Sequence, residues 1–303
     1  MNAVVRAWDS DFAYSFRRSP VALVSAAVLV VLLGGAMFSR WVAPFNPFDL
    51  ASLSLMDSLQ PPAFMPEGTR AHLLGTDDQG RDVLSGILYG MRISVIVGVC
   101  SVVFAVTVGI AVGLVAGYAG GAIDAVLMRV ADVQLSFPAI LIALLVDGVV
   151  TAALPPAMHE QLEIYVLIFA IGISFWPQFA RTVRGSTMVE RGKEYVMAAQ
   201  VIGLSSVRIM ATHILPNVIG PVLVIGTLTL GLAIVSEATL SFLGVGLPPT
   251  QPSVGTLIRV GNDFLFSGEW WITIFPGISL VLLVLAINLL GDWLRDALNP
   301  RLR

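Results

Sequence analysis

Apolar residues fall in six long runs separated by polar stretches, at about residues 21–38, 93–118, 125–146, 164–179, 218–235 and 272–290. A helix needs about 20 apolar residues to cross the roughly 30 Å of bilayer hydrocarbon, and each run is close to or above that length. The pattern predicts an all-α integral membrane protein with six transmembrane helices. The first run follows Arg17-Arg18 and has the outline of an export signal. It is too long for one and five spans follow it, so it is expected to persist as a helix. In the second run Ser101, Ala105, Gly109, Gly113 and Gly117 recur every four residues. Such a face lets another helix approach closely, either a neighbour in the same chain or one from a partner subunit.

The polar stretches divide the rest. Residues 1–20 form an arm, amphipathic through Trp8, Phe12, Tyr14 and Phe16. Residues 39–92 carry Pro44, Pro47, Pro61, Pro62 and Pro66, which disfavours a long helix before about His72. That segment reads as an extended connection setting the first span, an accessory helix, apart from a working membrane domain over 93–290. Between the last two spans lie Gly244, Gly246, Pro248, Pro249 and Pro252, the makings of a structured loop, with Trp270 and Trp271 anchoring the sixth span. Residues 291–303 form a tail. No internal repeat is visible, which speaks against an inverted-repeat transporter.

Composition agrees. Of 303 residues 56% are hydrophobic and 12% charged, with net charge −3. Soluble domains carry about 25% charged residues, and a nucleic-acid partner would call for a clustered basic face. The single cysteine, Cys100, allows neither an internal disulfide nor a cysteine metal site. Arg6, Arg17, Arg18, Arg181, Arg184, Arg191, Lys193, Arg208, Arg295, Arg301 and Arg303 would share one side of a six-span chain. Arg40, Arg70, Arg81, Arg92 and Arg259 would lie on the other, over longer loops and outnumbered by acids. The bias places both termini and the 182–216 loop in the cytoplasm.

That loop is the most informative polar stretch. Residues 195–202 hold good helix formers, and the small pair Ala198-Ala199 would allow another surface to approach. Gly203 can end a helix in the left-handed region, Ser205 or Ser206 can cap a second one, and Pro216 is expected to limit it. A helix, a sharp turn and a second helix result. In spacing the loop resembles the coupling loop of prokaryotic ABC importer permeases, through Ala198, Ala199, Gly203, Leu215 and Pro216. Met197 stands where that pattern has glutamate and His213 where it has isoleucine. The resemblance implies that Glu194, Tyr195, Ala198, Ala199, Gly203, Leu215 and Pro216 dock an ATP-hydrolysing subunit.

A second stretch, His72-Leu73-Leu74-Gly75-Thr76-Asp77-Asp78-Gln79-Gly80-Arg81-Asp82, is similar to the external segment of the dipeptide/oligopeptide/nickel permeases. The similarity is to the C-type member of their B/C pair. It continues through Ser85, Gly90, Arg92, Ser94 and Gly98, Met128-Arg129 and Asp132, Ser241–Gly244 and the 291–301 segment. Asn299 replaces a usual aspartate and Val254 a usual tryptophan. Gly75, Thr76, Asp77, Gly80, Arg81 and Asp82 suit a rigid turn whose members bond one another, serving as scaffold or as a surface for a delivering protein. Asp124, Arg129 and Asp132 lie near one end of the third span. Arg129 and Asp132 have the spacing of helix neighbours, which fits a buried structural pair, with a gate as the alternative.

The centres of the spans are almost free of charge, which argues against an ion-coupled transporter, and no nucleophile–base or metal constellation suggests an enzyme. His159-Glu160 opens a zinc-protease string, but Glu163 stands where its second histidine belongs. No glycine-rich phosphate loop is present, so no cofactor is expected in this chain and any ATP would bind partner subunits. The resemblance implies a homologous B-type permease, two ATP-binding subunits and an external solute-binding protein, in a bacterial cytoplasmic membrane. Short peptides are the expected cargo, with nickel or another small solute as the alternative.

Overall fold

A computed structural model describes residues 11–49, 53–247, 251 and 253–298. Positions 1–10, 50–52, 248–250, 252 and 299–303 lie outside them, and with them Arg6, Trp8, Pro248, Pro249, Pro252, Asn299 and the terminal arginines. Among the described residues the chain is helical. An arm helix, α1 (Asp11–Arg18), leads into the first span, α2 (Pro20–Met37), and a short turn, α3 (Ser39–Val42). The Ser19 side chain accepts from Ala22 N at 3.2 Å, and Pro20 fits the first turn, so α2 starts where capping chemistry allows.

The second span is longer than its apolar run. α4 (Val83–Ala119) begins ten residues before the expected 93, because Asp82 caps it by accepting from Ser85 N at 2.8 Å. Its small-residue face meets α7 (Pro156–Arg191) of the same chain. A Cβ on Gly109 would stand 2.4 Å from Phe179 Cβ, one on Gly113 2.6 Å from the Ala180 carbonyl oxygen, and one on Gly117 2.7 Å from Thr187 Cβ. Of the two partners open to that stripe, the intrachain neighbour is the one observed.

The third span departs from expectation. In place of one helix over 125–146 there are two, α5 (Gly121–Leu135) and α6 (Ala139–Ala153), bent by 95°. Pro138 sits at the break, where the residue before a proline is pushed out of the helical region. The bend is pinned to α7 through Gln134, whose Oε1 accepts from Trp176 Nε1 at 2.9 Å and whose amide donates to the Ile173 carbonyl. α7 itself runs to Arg191, well past the expected 179, so the first third of the supposed 182–216 loop is helix.

After α8 (Glu194–Val201) and α9 (Ser206–Ile209) comes a π-helical turn, Met210–Ile214, and then α10 (Leu215–Phe242) with no interruption. Pro216 was expected to end the second short helix, and it does not. Leu215 N–H reaches back five residues to the Met210 carbonyl, and this wider turn accommodates a ring that would strike an ordinary helix. A short helix, α11 (Val254–Asn262), and the last span, α12 (Trp271–Leu298), complete the fold. Among the described residues five helices are long and apolar enough to cross a membrane, and α5–α6 makes six if counted as one bent span.

The accessory span is not held apart. Leu29 and Ala36 of α2 are buried in a core with Met91 of α4 and Leu283 of α12, and Phe16 packs edge-on against Trp293 at 5.0 Å. Nor is 39–82 an extended tether. It folds back on the bundle, with Phe45 N–H donating to Ser85 Oγ at 3.2 Å and Trp271 Nε1 to the Thr76 carbonyl at 3.1 Å. The molecule thus has a cap of folded loops at one end and the α8–α9 elbow at the other.

Candidate functional site

The elbow is built on Gly203, whose φ of 83° lies in the left-handed region that side chains avoid. Gly203 N–H donates to the Gln200 carbonyl at 3.0 Å and Leu204 N–H to the Ala199 carbonyl at 3.1 Å, closing α8 before α9 begins. Val196, Ile209 and Ile214 are buried beneath it in a core with Phe179 and Val183 of α7. Tyr195 braces the joint. Its hydroxyl donates to Glu190 Oε2 at 2.5 Å, accepts from Asn217 Nδ2 at 3.0 Å and lies 3.3 Å from the His213 carbonyl. Lys193 Nζ takes the other Glu190 oxygen at 2.6 Å. One phenol therefore joins the ends of α7, α8 and α10.

What the elbow presents outward is apolar. Val201 is 88% exposed, Ile202 77% and Val207 71%, on either side of the Gly203 turn. Of the small pair, Ala198 is exposed, but Ala199 is only 4% exposed and packs inward. Its smallness serves the chain's own core, so a bulky residue there would disrupt the elbow itself. Glu194 and Pro216 are at the surface and Leu215 is half-buried.

Two basic residues of the 182–216 stretch, Arg184 and Lys193, pair within the chain, as does Arg181 just before it. Arg184 grips Asp124 through two bonds, Nε to Oδ1 at 2.5 Å and Nη2 to Oδ2 at 2.6 Å, joining α7 to α5. Arg181 Nε lies 3.8 Å from Asp132 Oδ1, an exposed pair. The expected Arg129–Asp132 pair is not formed. Arg129 and Asp132 are both exposed on α5, and the carboxylates of α5 turn to α7 instead. Spacing along one helix suggested the pair, whereas packing between helices decided it.

At the opposite end Gly75, Thr76, Asp77, Gly80, Arg81 and Asp82 share one tight turn. Gly75 and Gly80 have φ of 82° and 76°, and Thr76 and Asp82 form an antiparallel bridge. Asp77 Oδ1 accepts from Gln79 N at 2.9 Å and Arg81 N at 2.8 Å, with Arg81 Nε 3.8 Å from Oδ2. Burial nevertheless pushes the Asp77 carboxyl above its ordinary value, against those bonds and the Arg81 charge. Asp82, besides capping α4, lies 3.2 Å from His72 Nδ1 in a buried contact. The Thr76 hydroxyl donates to the Asp57 carbonyl at 2.5 Å and accepts from Gln60 N at 2.8 Å. The cap leaves few of its polar groups for a visitor.

Two buried carboxyls escaped the sequence reading. Glu237 of α10 is 0% exposed and Asp147 of α6 is 6% exposed, and each lies just past the expected end of its apolar run, at 235 and 146. For Glu237 a signal was present: a lone acid at the end of an apolar run, four residues before Ser241, which bonds it.

The chain thus combines membrane-spanning helices with a braced elbow whose apolar side chains face outward, and comparison with known proteins gives its family. The family described as the binding-protein-dependent transport system inner membrane component matches residues 109–303, and the N-terminal TM domain of oligopeptide transport permease C matches residues 7–62. The chain belongs to this family of transport permeases. It is 41% identical over 295 residues to the dipeptide transport system permease protein DppC of Escherichia coli K12, covering 97% of this chain and 93% of that one. It is 36% identical over 293 residues both to DppC of Haemophilus influenzae and to the di/tripeptide permease DppC of Pseudomonas aeruginosa. Coverage is 97% of this chain in each case, and 95% and 92% of theirs. In fold it resembles the inward-facing MetNI methionine ABC transporter, with TM-score 0.53 and 17% identity over 69% of this chain and 94% of that one.

Proposed function

We propose that this chain is one half of the membrane pathway of an ATP-driven importer of short peptides, driven through the α8–α9 elbow by an ATP-hydrolysing subunit. The observation that carries this reading is the elbow itself: exposed Val201, Ile202 and Val207 on a joint held stiff by Tyr195. Apolar side chains beyond the membrane spans are costly to leave in water, and a bent rigid pair of helices fits a cleft. Both termini and the elbow lie in the cytoplasm, as the arginine distribution supports. The cap faces the binding protein outside. A homologous permease completes the pathway and two ATPases power it, so this chain itself hydrolyses nothing. Peptide cargo is supported by the named activities of the relatives above.

The test is reconstitution of the purified complex in vesicles with its binding protein. Labelled di- and tripeptides should accumulate only with ATP and the ATPase subunits present. Accumulation driven by an ion gradient without them would reject the proposal.

A further inference from the structure

The N-terminus of α11 is wedged between α4 and α10 with almost no side chain between the backbones. A Cβ on Gly90 of α4 would stand 3.1 Å from Val254 N, and one on Gly255 would stand 2.3 Å from the Ala238 carbonyl oxygen of α10. Five polar side chains line this seat, Ser94, Glu237, Ser241, Ser253 and Thr256, all at least nine-tenths buried. Ser94 Oγ accepts from Val254 N at 3.3 Å, so α4 holds the first residue of α11 directly. Ser253 Oγ caps the helix, accepting from Thr256 N at 3.4 Å. Ser241 Oγ donates to Glu237 Oε1 at 2.8 Å. The hydroxyls of Ser94 and Ser253 approach the same carboxyl, but none makes a bond of ordinary geometry to the buried Oε2.

We infer that Glu237 is a positioning residue that seats α11 as a removable wedge at the cap end of the bundle, and that the wedge leaves its seat when this end opens. Three observations point the same way. The seat is polar, and hydroxyls that part from one another are taken up by water, so opening forfeits little. Its central carboxyl is fully buried among three hydroxyls, and burying it is a standing cost of the seated state, which leaves that state poised. The glycines flanking the wedge, Gly244 and Gly246 before it and Gly268 after it, all have positive φ and can absorb its displacement.

The mechanical connection is also on hand. Glu237 stands near the far end of the continuous helical rod Ser206–Phe242, whose first residues are the second limb of the elbow. That rod spans about 55 Å at 1.5 Å per residue. α11, through Leu257 and Val260, borders a small cavity whose other walls include Asp77, Arg81 and Asp82 of the cap. A displacement begun at the elbow therefore arrives at Glu237, and from there reaches the cap through one short helix.

The experiment uses the whole complex in vesicles, in a Cys100→Ala background with Val254→Cys as reporter, and a membrane-impermeant maleimide added on the cap side. Val254 is fully buried in the seated state, so labelling should be slow at rest. It should speed up several-fold with binding protein and a non-hydrolysable ATP analogue. Glu237→Ala should raise the resting rate by about tenfold, the effect of losing one buried bonded partner. Glu237→Gln, whose carbonyl can still accept from Ser241, should restore slow labelling. Ser241→Ala, a smaller change, should raise the rate about threefold if the alanine variant at 237 fails to insert. Equal labelling of Glu237→Ala and the parent would overturn the positioning role. Parent labelling indifferent to nucleotide and binding protein would overturn the release. The resting rates need no transport, so they stand or fall apart from the importer reading, on which only the nucleotide response rests.

Discussion

At the cap end, Thr76, Asp77, Asp82 and Trp271 bond one another and the backbone around them, whereas at the elbow end Val201, Ile202 and Val207 stand bare on a stiff joint. Both regions are loops turned by a glycine in the left-handed conformation, and both lie next to the end of a long span. They differ in where their binding capacity points. The cap directs most of it inward. The elbow directs its polar bonds inward, through Tyr195, and leaves its apolar groups for another surface. The cap is built mainly to hold its own shape, and the elbow is braced but bare, as the proposed contact with an ATPase subunit requires.

The largest expected effect is at the elbow. Val201→Asp with Ile202→Asp should lower recovery of the ATPase subunits by tenfold or more, about the loss of an interface anchor, while membrane insertion stays normal. Unchanged recovery would place the contact elsewhere and end the contrast with the cap. Next comes Gly203→Val. A Cβ there would meet nothing within 4 Å, so the cost is in the backbone alone, about 1–2 kcal/mol for a residue forced into the left-handed region. Transport should be lost, and Gly203→Asn, which tolerates that conformation, should keep most of it.

On the other side of the comparison, Asp82→Ala removes the α4 cap and the partner of His72. It should lower the stability of the purified protein by about 2–3 kcal/mol in thermal melts, without touching ATPase recovery. Tyr195→Phe is subtler. It deletes the hydroxyl shared by Glu190 and Asn217 and should slow transport several-fold at unchanged ATPase recovery, because the surface remains and only its brace is lost. The smallest effect is in pH. Since burial raises the Asp77 carboxyl above 3.8, the folded cap keeps a proton that the unfolded chain has released. Cap stability then falls as pH rises from about 4 through the raised value. Asp77→Asn, which keeps the accepting oxygen, should flatten that slope in melts taken at a series of pH values.

Most of the helical plan was legible in the sequence because lipid-spanning runs announce themselves by length alone. The elbow was legible too, since Gly203 between two helix-forming stretches admits few conformations. What stayed hidden depended on contacts between elements. Pro216 reads as a stop on any local rule, and the π turn that accommodates it leaves no trace in composition. Pro138 marked the 95° bend, but amid apolar neighbours the run looked continuous. Ala199 was visible as small and not as buried, and Asp132 chose Arg181 across a helix boundary over Arg129 on its own face. Glu237 was passed over because the acid itself reads as the end of the apolar run, whereas the helix continues to Phe242.

The bare backbone ridge of α4 has a consequence for how the chain is made. Gly109, Gly113 and Gly117 emerge from the ribosome well before Phe179, Ala180 and Thr187, which fill the hollow they leave. During synthesis that hollow opens onto lipid, and acyl chains must be expelled when α7 arrives. Enlarging any of the three glycines would leave α4 able to enter the bilayer yet unable to close with α7. Such a variant should reach the membrane at normal levels and be cleared there by proteases, a failure of assembly with insertion intact.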